Sequence, residues 1–341
     1  MKQENEKFEN KTIKTRSSIE EQLVNFMHIA ILAPSGHNTQ PWRFKATTTY
    51  VEIFADRSRR LPVVDPNDRE LTISCGAAIG FFEIAARRSG YDANVTYNED
   101  EDQPDLLARL ELKKGSSPTT EETTLFNAIS KRTTNRNSYS MRPVLDNDLD
   151  KCKDISQDFD VYLSITETEA EREAIAELVS QGDKIQFENS SFRKELAHWV
   201  RSSSLGNKDG MSGENFGMPD ILSPVGQFVI RTFDIGNGVA ADDKKKIVSA
   251  SPVLAIFGTS DDSQKSWIDT GRALAHVLLH LTSCDLASSY LNQPIEVKTL
   301  RHKLKIATNM KSQPQILIRV GYSEHTLSPT VRRELEDVLI A

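Results

Sequence analysis

The sequence predicts an α+β fold, built either as one large globular unit or as two smaller units fused in one chain. Three observations point there. Of 341 residues, 38% are hydrophobic, enough to bury a large core or two. Runs of helical periodicity alternate with short β-forming runs. A polar break over 113–120 (KKGSSPTT) separates an earlier series of such elements from a later one.

The elements follow in order. Ser17 or Ser18 can cap a helix whose apolar positions Ile19, Leu23, Phe26, Met27 and Ala30 recur at helical spacing. It stops at Ala33-Pro34-Ser35-Gly36, where Pro and Gly mark a turn. Stretches 42–45 and 50–55 read as paired strands. A second helix is expected from Asp65 as cap, with Pro66 at the first helical position, through apolar residues 71–86 to a stop at Gly90. Further strands are expected at 95–97 and 106–112. After the polar break come a helix over 121–129 and a charged helical region over 167–199. The Gly/Met/Pro-rich stretch 206–226 reads as a lid or a plain surface loop. A buried strand follows at 251–258, then a strongly apolar helix over 267–281, a closing strand at 315–320, and a helix or tail over 331–339.

Composition narrows the function. Net charge is -7 and no basic stripe carries interleaved aromatics, so a nucleic-acid partner is not expected. No run reaches the roughly 18–20 apolar residues of a membrane helix, and the polar start of the chain lacks the apolar stretch of a secretory signal. The three cysteines, Cys75, Cys152 and Cys284, show no CxxC spacing. Together these features predict a soluble protein in a reducing, cytoplasmic setting. GxxxxGK[ST], GxGxxG and GxSxG are all missing from the sequence. His276 and His280 stand four apart on a helix but lack both the HExxH glutamate and a third ligand in sequence, so no metal is expected.

Two segments carry chemistry. Pro34-Ser35-Gly36-His37-Asn38-Thr39-Gln40-Pro41-Trp42 lies between a helix and a strand. Asn38 and Gln40 each offer a donor and an acceptor, which suits the alternating acceptor–donor edge of a flavin pyrimidine ring. Gly36 permits close backbone approach, Pro41 stiffens the exit and Trp42 anchors the strand. Composition alone equally allows an ordinary polar turn. Arg132-Thr133-Thr134-Asn135-Arg136 places two permanent cations around hydroxyls, suited to a terminal phosphate, or else to the C-terminal end of a helix. Arg332 and Arg333 form a third basic pair, with acidic neighbours that offer local partners.

Together these segments resemble the nitroreductase family of FMN-dependent oxidoreductases, in its long branch with two fused halves. Pro34, Ser35, Asn38, Gln40, Pro41 and Trp42 match that family's Pro-Ser-x-x-Asn-x-Gln-Pro-Trp segment. Arg132, Thr134 and Arg136 match its Arg-Arg-Ser-x-Arg phosphate grip, with Thr133 in place of the second Arg. The stretch 316–321 with Arg332 and Arg333 resembles its closing strand and basic tail, and 273–281 its small-residue core helix. Asp243 to Lys246 (DKKK) resembles an Asn-x-x-Lys flavin-contacting segment, with Asp where an amide is usual.

The resemblance implies a pseudo-dimer. Residues 1–16 would be a disordered start, 17–115 a first half, and 120–341 a second half carrying a helical or lid insertion at about 146–238. It also implies FMN held by Pro34, Ser35, Gly36, His37, Asn38, Gln40, Arg132, Thr134, Arg136, Lys246, Arg332 and Arg333. NADH or NADPH would be the electron donor and a small molecule the acceptor, in a monomer or homodimer. No catalytic residue stands out. The Asn/Gln segment lies only in the first half and the Arg grip only in the second, while Arg16 lacks a second Arg beside it. One composite site per chain is therefore expected. The alternative is a flavoprotein that stores FMN under a lid without turnover.

Overall fold

The computed structural model describes residues 18–166, 168–213 and 219–340. Arg16, residues 1–16 with their expected disorder, Ser17 as a cap and the middle of the expected lid stretch lie outside these residues. Helix α1 (Ile19–Ala30) starts at Ser18, whose side chain accepts the Glu21 N–H, and buries Leu23, Phe26, Met27 and Ala30. Strands β1 (Trp42–Ala46) and β2 (Tyr50–Ala55) pair antiparallel with Trp42 opposite Ala55. Helix α2 (Arg69–Arg88) begins three residues later than Pro66 suggests. Asp68 takes a left-handed conformation before the first turn. Asp65 still acts as the cap from a distance, accepting the Arg69 and Leu71 N–H groups at 2.9 Å each. Gly90, at φ +77°, ends the helix as expected. Strands β3 (Tyr91–Tyr97) and β4 (Leu106–Lys114) complete a four-stranded antiparallel sheet ordered β1-β2-β4-β3.

After the polar break, Thr119 and Glu122 form a capping box on α3 (Thr120–Ala128). Then come α4 (Asp146–Gln157), β5 (Tyr162–Thr166), α5 (Glu169–Glu188), α6 (Ser190–His198), α7 (Ser223–Thr232) and α8 (Gly236–Ser249). Strand β6 (Val253–Thr259), buried along its whole length, leads to α9 (Gln264–Ser283). The chain closes with β7 (Ala287–Tyr290), α10 (Gln293–Glu296), α11 (Lys298–Ala307) and β8 (Gln313–Gly321). The second sheet is ordered β5-β6-β8-β7.

The two sheets therefore share one wiring: a helix, two strands, a long helix, two strands, with the last pair swapped in space. In the first half, β1 and β2 are joined by a short hairpin. In the second, α5 to α8 sit in that connection, between β5 and β6. The expected insertion at 146–238 thus gives up α4 and β5 to the second sheet and its core. The tail over 331–339 forms no α-helix; a short 3-10 turn covers Leu335–Val338 and Leu339 bridges Phe44 of β1.

The long helices α2 and α9 cross at the centre through glycines. A Cβ on Gly271 would lie 2.0 Å from the Ile73 carbonyl, and one on Gly76 2.2 Å from the Ile268 carbonyl. Each helix also reaches into the other half's core. Ile268, Ala275 and Leu279 of α9 join the first core, and Ile73 of α2 joins the second. Beside this crossing, Arg272 of α9 grips Glu83 of α2 through two bonds (3.0 and 2.6 Å) and the Tyr97 hydroxyl of β3 at 2.6 Å. No helix among the described residues is long and apolar enough to cross a membrane.

Candidate functional site

The turn between α1 and β1 is wound unusually tightly. His37, Asn38 and Gln40 all adopt positive φ, between 49° and 54°, where side chains other than Gly are rarely found. Gly36 does not share this conformation, and a Cβ there would make only ordinary contacts with Leu61 and Glu70. The chain's own packing therefore does not demand glycine at that position. Ser35 holds the turn, its backbone carbonyl accepting Asn38 N–H at 3.0 Å and its Oγ accepting Gln40 N–H at 2.9 Å. Pro34 is buried. Strain of about 1–3 kcal/mol per such residue persists only where the surroundings fix it.

Those surroundings come from far along the chain. Asn38 Nδ2 donates to the Gly210 and Val331 carbonyls, at 3.0 and 3.2 Å. Gln40 Nε2 donates to the Lys208 carbonyl at 2.8 Å, and its Oε1 accepts Arg333 N–H at 2.8 Å. The stretch around 208–211 thus lies directly over the turn, as a lid would. Asp209 anchors it, paired with both Arg59 and Arg201.

The second segment meets this turn across the molecule. Asn135 N–H donates to the Ser288 carbonyl and Thr134 bridges Ser288, which bolts the Arg132–Arg136 loop to β7. Arg319 of β8, fully buried, secures it from beneath: its guanidinium bonds the Asn137 and Asn135 carbonyls and stacks on Tyr139 at 4.1 Å. Burial raises the phenol of Tyr290, at the end of β7, and the charges of Arg132, Arg136 and Arg332, all in its neighbourhood, offset only part of that rise. Arg132 is buried, its Nε without a partner among the described residues. Burial and the neighbouring Arg132 charge together push the Arg332 guanidinium down to about 9, although Arg332 bonds the Leu32, Ala33, Thr330 and Val331 carbonyls. Cations pressed together this way provide for an anion between them.

His37 ties the halves together. Burial, and then the charge of Arg136, lower its imidazole to about 4, so it is neutral at physiological pH. Its Nδ1 and the Asn38 Oδ1 are buried without partners among the described residues. Arg136 also reaches the lid stretch, contacting Met211 Sδ at 3.9 Å.

The remaining expected residues sit at the margin or elsewhere. Thr134 is engaged in the β-bridge to Ser288. Lys246 pairs with Asp242 at 2.6 Å, on a helix whose Asp243 faces Arg136 and Arg319. The Arg333 side chain turns to the Gln40 and Asp337 carbonyls rather than to the arginine cluster. Sequence reasoning missed Tyr290 and Arg319, which carry no local motif and arrive from β7 and β8. It also missed Glu70, a buried carboxyl beside Gly36 that accepts bonds from Arg69 (2.7 Å) and Asn292 (3.3 Å) and that burial raises to about 7.

No family profile matches the chain. An assigned NAD(P)H nitroreductase of Mycobacterium tuberculosis is 29% identical over 315 residues, covering 91% of this chain and 89% of its own. An uncharacterized protein of the same organism is 28% identical over 340 residues, covering 93% and 92%. An assigned NAD(P)H nitroreductase of Serratia, PigM, is 22% identical over 350 residues, covering 94% of each. Among solved structures, the FMN-dependent nitroreductase NfnB of Mycobacterium smegmatis, in complex with NADPH, is 12% identical with a TM-score of 0.43, covering 63% of this chain and 96% of its own. Over nearly its whole length, and at 22–29% identity, the chain is thus similar to proteins named as NAD(P)H nitroreductases, with one helix-and-strand wiring repeated twice in a single polypeptide.

Proposed function

We propose that the protein is an FMN-dependent NAD(P)H oxidoreductase that reduces nitroaromatics, quinones or similar small acceptors. The observation that carries this reading is the gathering of Arg132, Arg136 and Arg332 around Tyr290, with His37 of the opposite half facing Arg136. The fit to FMN rests on the donor set. Arg132 Nε is buried without a partner among the described residues, so a phosphate would satisfy it where water does not reach. The unpartnered Asn38 Oδ1 and His37 Nδ1 supply polar atoms for a ring edge on the other side. Both relatives assigned as nitroreductases are named for NAD(P)H, which supports nicotinamide as donor.

FMN, when bound, supplies the transfer of electrons from NAD(P)H to the acceptor. The chain's own residues have narrower tasks. Arg132, Arg136 and Arg332 would hold the phosphate, and the strained His37–Gln40 turn would orient the ring edge. The stretch 208–211, fastened to Asn38, Gln40 and Asp209's two arginines, would exclude water. Glu70, with its proton affinity raised by burial, would hold a proton close to Gly36 at neutral pH.

Replacing Arg132 and Arg136 together by Ala is expected to strip FMN from the purified protein; wild-type occupancy in that variant would refute the phosphate assignment. The tight hydrogen bonding of the lid to the turn also favours a second reading, FMN storage without turnover. NAD(P)H oxidation by FMN-loaded protein in the presence of a quinone or nitroaromatic separates the two. Steady turnover supports the oxidoreductase; bound flavin with no NAD(P)H oxidation supports storage.

A further inference from the structure

We propose that Asp148, His280 and Cys284 form a binding site for a divalent d-block cation, Zn2+ foremost, that clips α4 to the end of α9. His280 lies in the last turn of α9 and Cys284 caps it one turn further on, so both point from one face of the helix. Asp148 comes from the first turn of α4, packed alongside. One ligand atom from each of the three lies within 4.8 Å of the others. Cys284 Sγ stands 3.5 Å from Asp148 Oδ1 and 3.9 Å from His280 Nε2. Tetrahedral Zn2+ with bonds of about 2.0–2.3 Å needs ligand atoms roughly 3.3–3.8 Å apart, and the two pairs that Cys284 makes stand close to that spacing.

Three further features fit a cation there. Thiolate, imidazole and carboxylate together suit Zn2+ and disfavour Mg2+ or Ca2+, which take oxygen ligands alone. The trio sits at the C-terminal end of α9, where the helix dipole places partial negative charge. All three residues are half-buried, so a cation can enter. His276, the other histidine of the helix, takes no part: its ring packs on Phe159 at 5.1 Å. Cys152, one turn beyond Asp148, also stands outside the trio. Three protein ligands leave the fourth position of the tetrahedron to water.

The test uses the full chain and Zn2+ or Co2+ alone. Competition with a chromophoric chelator is expected to give one Zn2+ per chain. Co2+ loading is expected to give tetrahedral d–d bands with sulfur-to-cobalt charge transfer. Cys284→Ser and His280→Gln should each weaken Zn2+ binding at least about a hundredfold, since even outer-sphere partners are worth 10–100-fold. Saturating Zn2+ should raise the Tm of the wild type and leave that of both variants unmoved, while all three hold FMN equally. Failure of the wild type to take up stoichiometric Zn2+, uptake by Cys284→Ser at wild-type affinity, or an equal Tm rise in the variants would each overturn the site. Because flavin occupancy is read separately, that result stands apart from the fate of the oxidoreductase reading.

Discussion

Burial sets the proton affinity of the groups around the turn, and the two that matter most move stability in opposite directions with pH. Glu70 has an ordinary carboxyl pKa in the unfolded chain but is raised to about 7 by burial in the fold. Between roughly pH 4.5 and 7 the native state therefore holds more proton than the unfolded one, and this group's contribution falls as pH rises. Glu296 beside it is raised as well and acts in the same sense. His37, lowered to about 4, is the reverse: its contribution is whole above about pH 6.5 and is lost as pH falls through 4. Glu70→Gln keeps an oxygen acceptor for Arg69 and Asn292 and removes the titration. It is expected to flatten the decline in Tm between pH 5 and 8 and to raise Tm at pH 8 by roughly 2–6 °C; thermal melts across that range check this, and an unchanged slope would assign the decline to other groups. At this scale the sequence carried Asn38, Gln40, Arg132 and Arg136, because each lies in a short motif with its own chemistry. Tyr290, Arg319 and Glu70 were not legible, since their roles exist only once β7, β8 and α2 bring them beside that motif.

Elements were legible where periodicity and caps agree. Helix α1, strands β1, β2 and β4 of the first sheet and the core helix α9 fall close to their expected spans, while β3 starts four residues before its expected 95–97. Helix α2 was read three residues early, because Asp65-Pro66 is a good local start while Asp68 in a left-handed conformation delays it. The charged stretch 167–199 is two helices broken at Asn189, whose side chain caps the second. What the sequence did not reveal is how closely α2 and α9 approach. That contact requires glycine on both helices, and the space is a matter of tertiary packing. Gly271→Ala is expected to cost about 3 kcal/mol or more, because its Cβ would press into the Ile73 carbonyl and the Ala77 amide, both backbone atoms. Gly238→Ala is the control: it sits exposed on α8 with no atom within 4 Å of the added Cβ. That change should stabilise by about 0.5–1 kcal/mol through helix propensity. Urea unfolding of both variants measures the contrast; a Gly271→Ala protein as stable as wild type would contradict the close crossing.

Across the whole molecule, the repeat of one wiring in two sheets makes the chain its own dimer partner, yet the halves are not equal. In the first half, the Pro34–Trp42 turn runs between α1 and β1. The corresponding place in the second half, between α4 and β5, is only Asp158 to Val161, with no room for a matching turn. The loop with Arg132 and Arg136 meets the first half's His37 instead. One flavin per chain is therefore expected, with its phosphate held by the second half and its ring edge by the first. Reconstitution of the pure chain with excess FMN, followed by absorbance of bound flavin against protein, should saturate near one. A ratio near two would refute the composite site. The same geometry sharpens the mutants: in a one-site chain, Asn38→Ala from one half and the Arg132→Ala, Arg136→Ala pair from the other weaken a single binding event. With two independent sites, each variant would instead leave half of the flavin bound at wild-type affinity, and a biphasic titration in either variant would identify that arrangement.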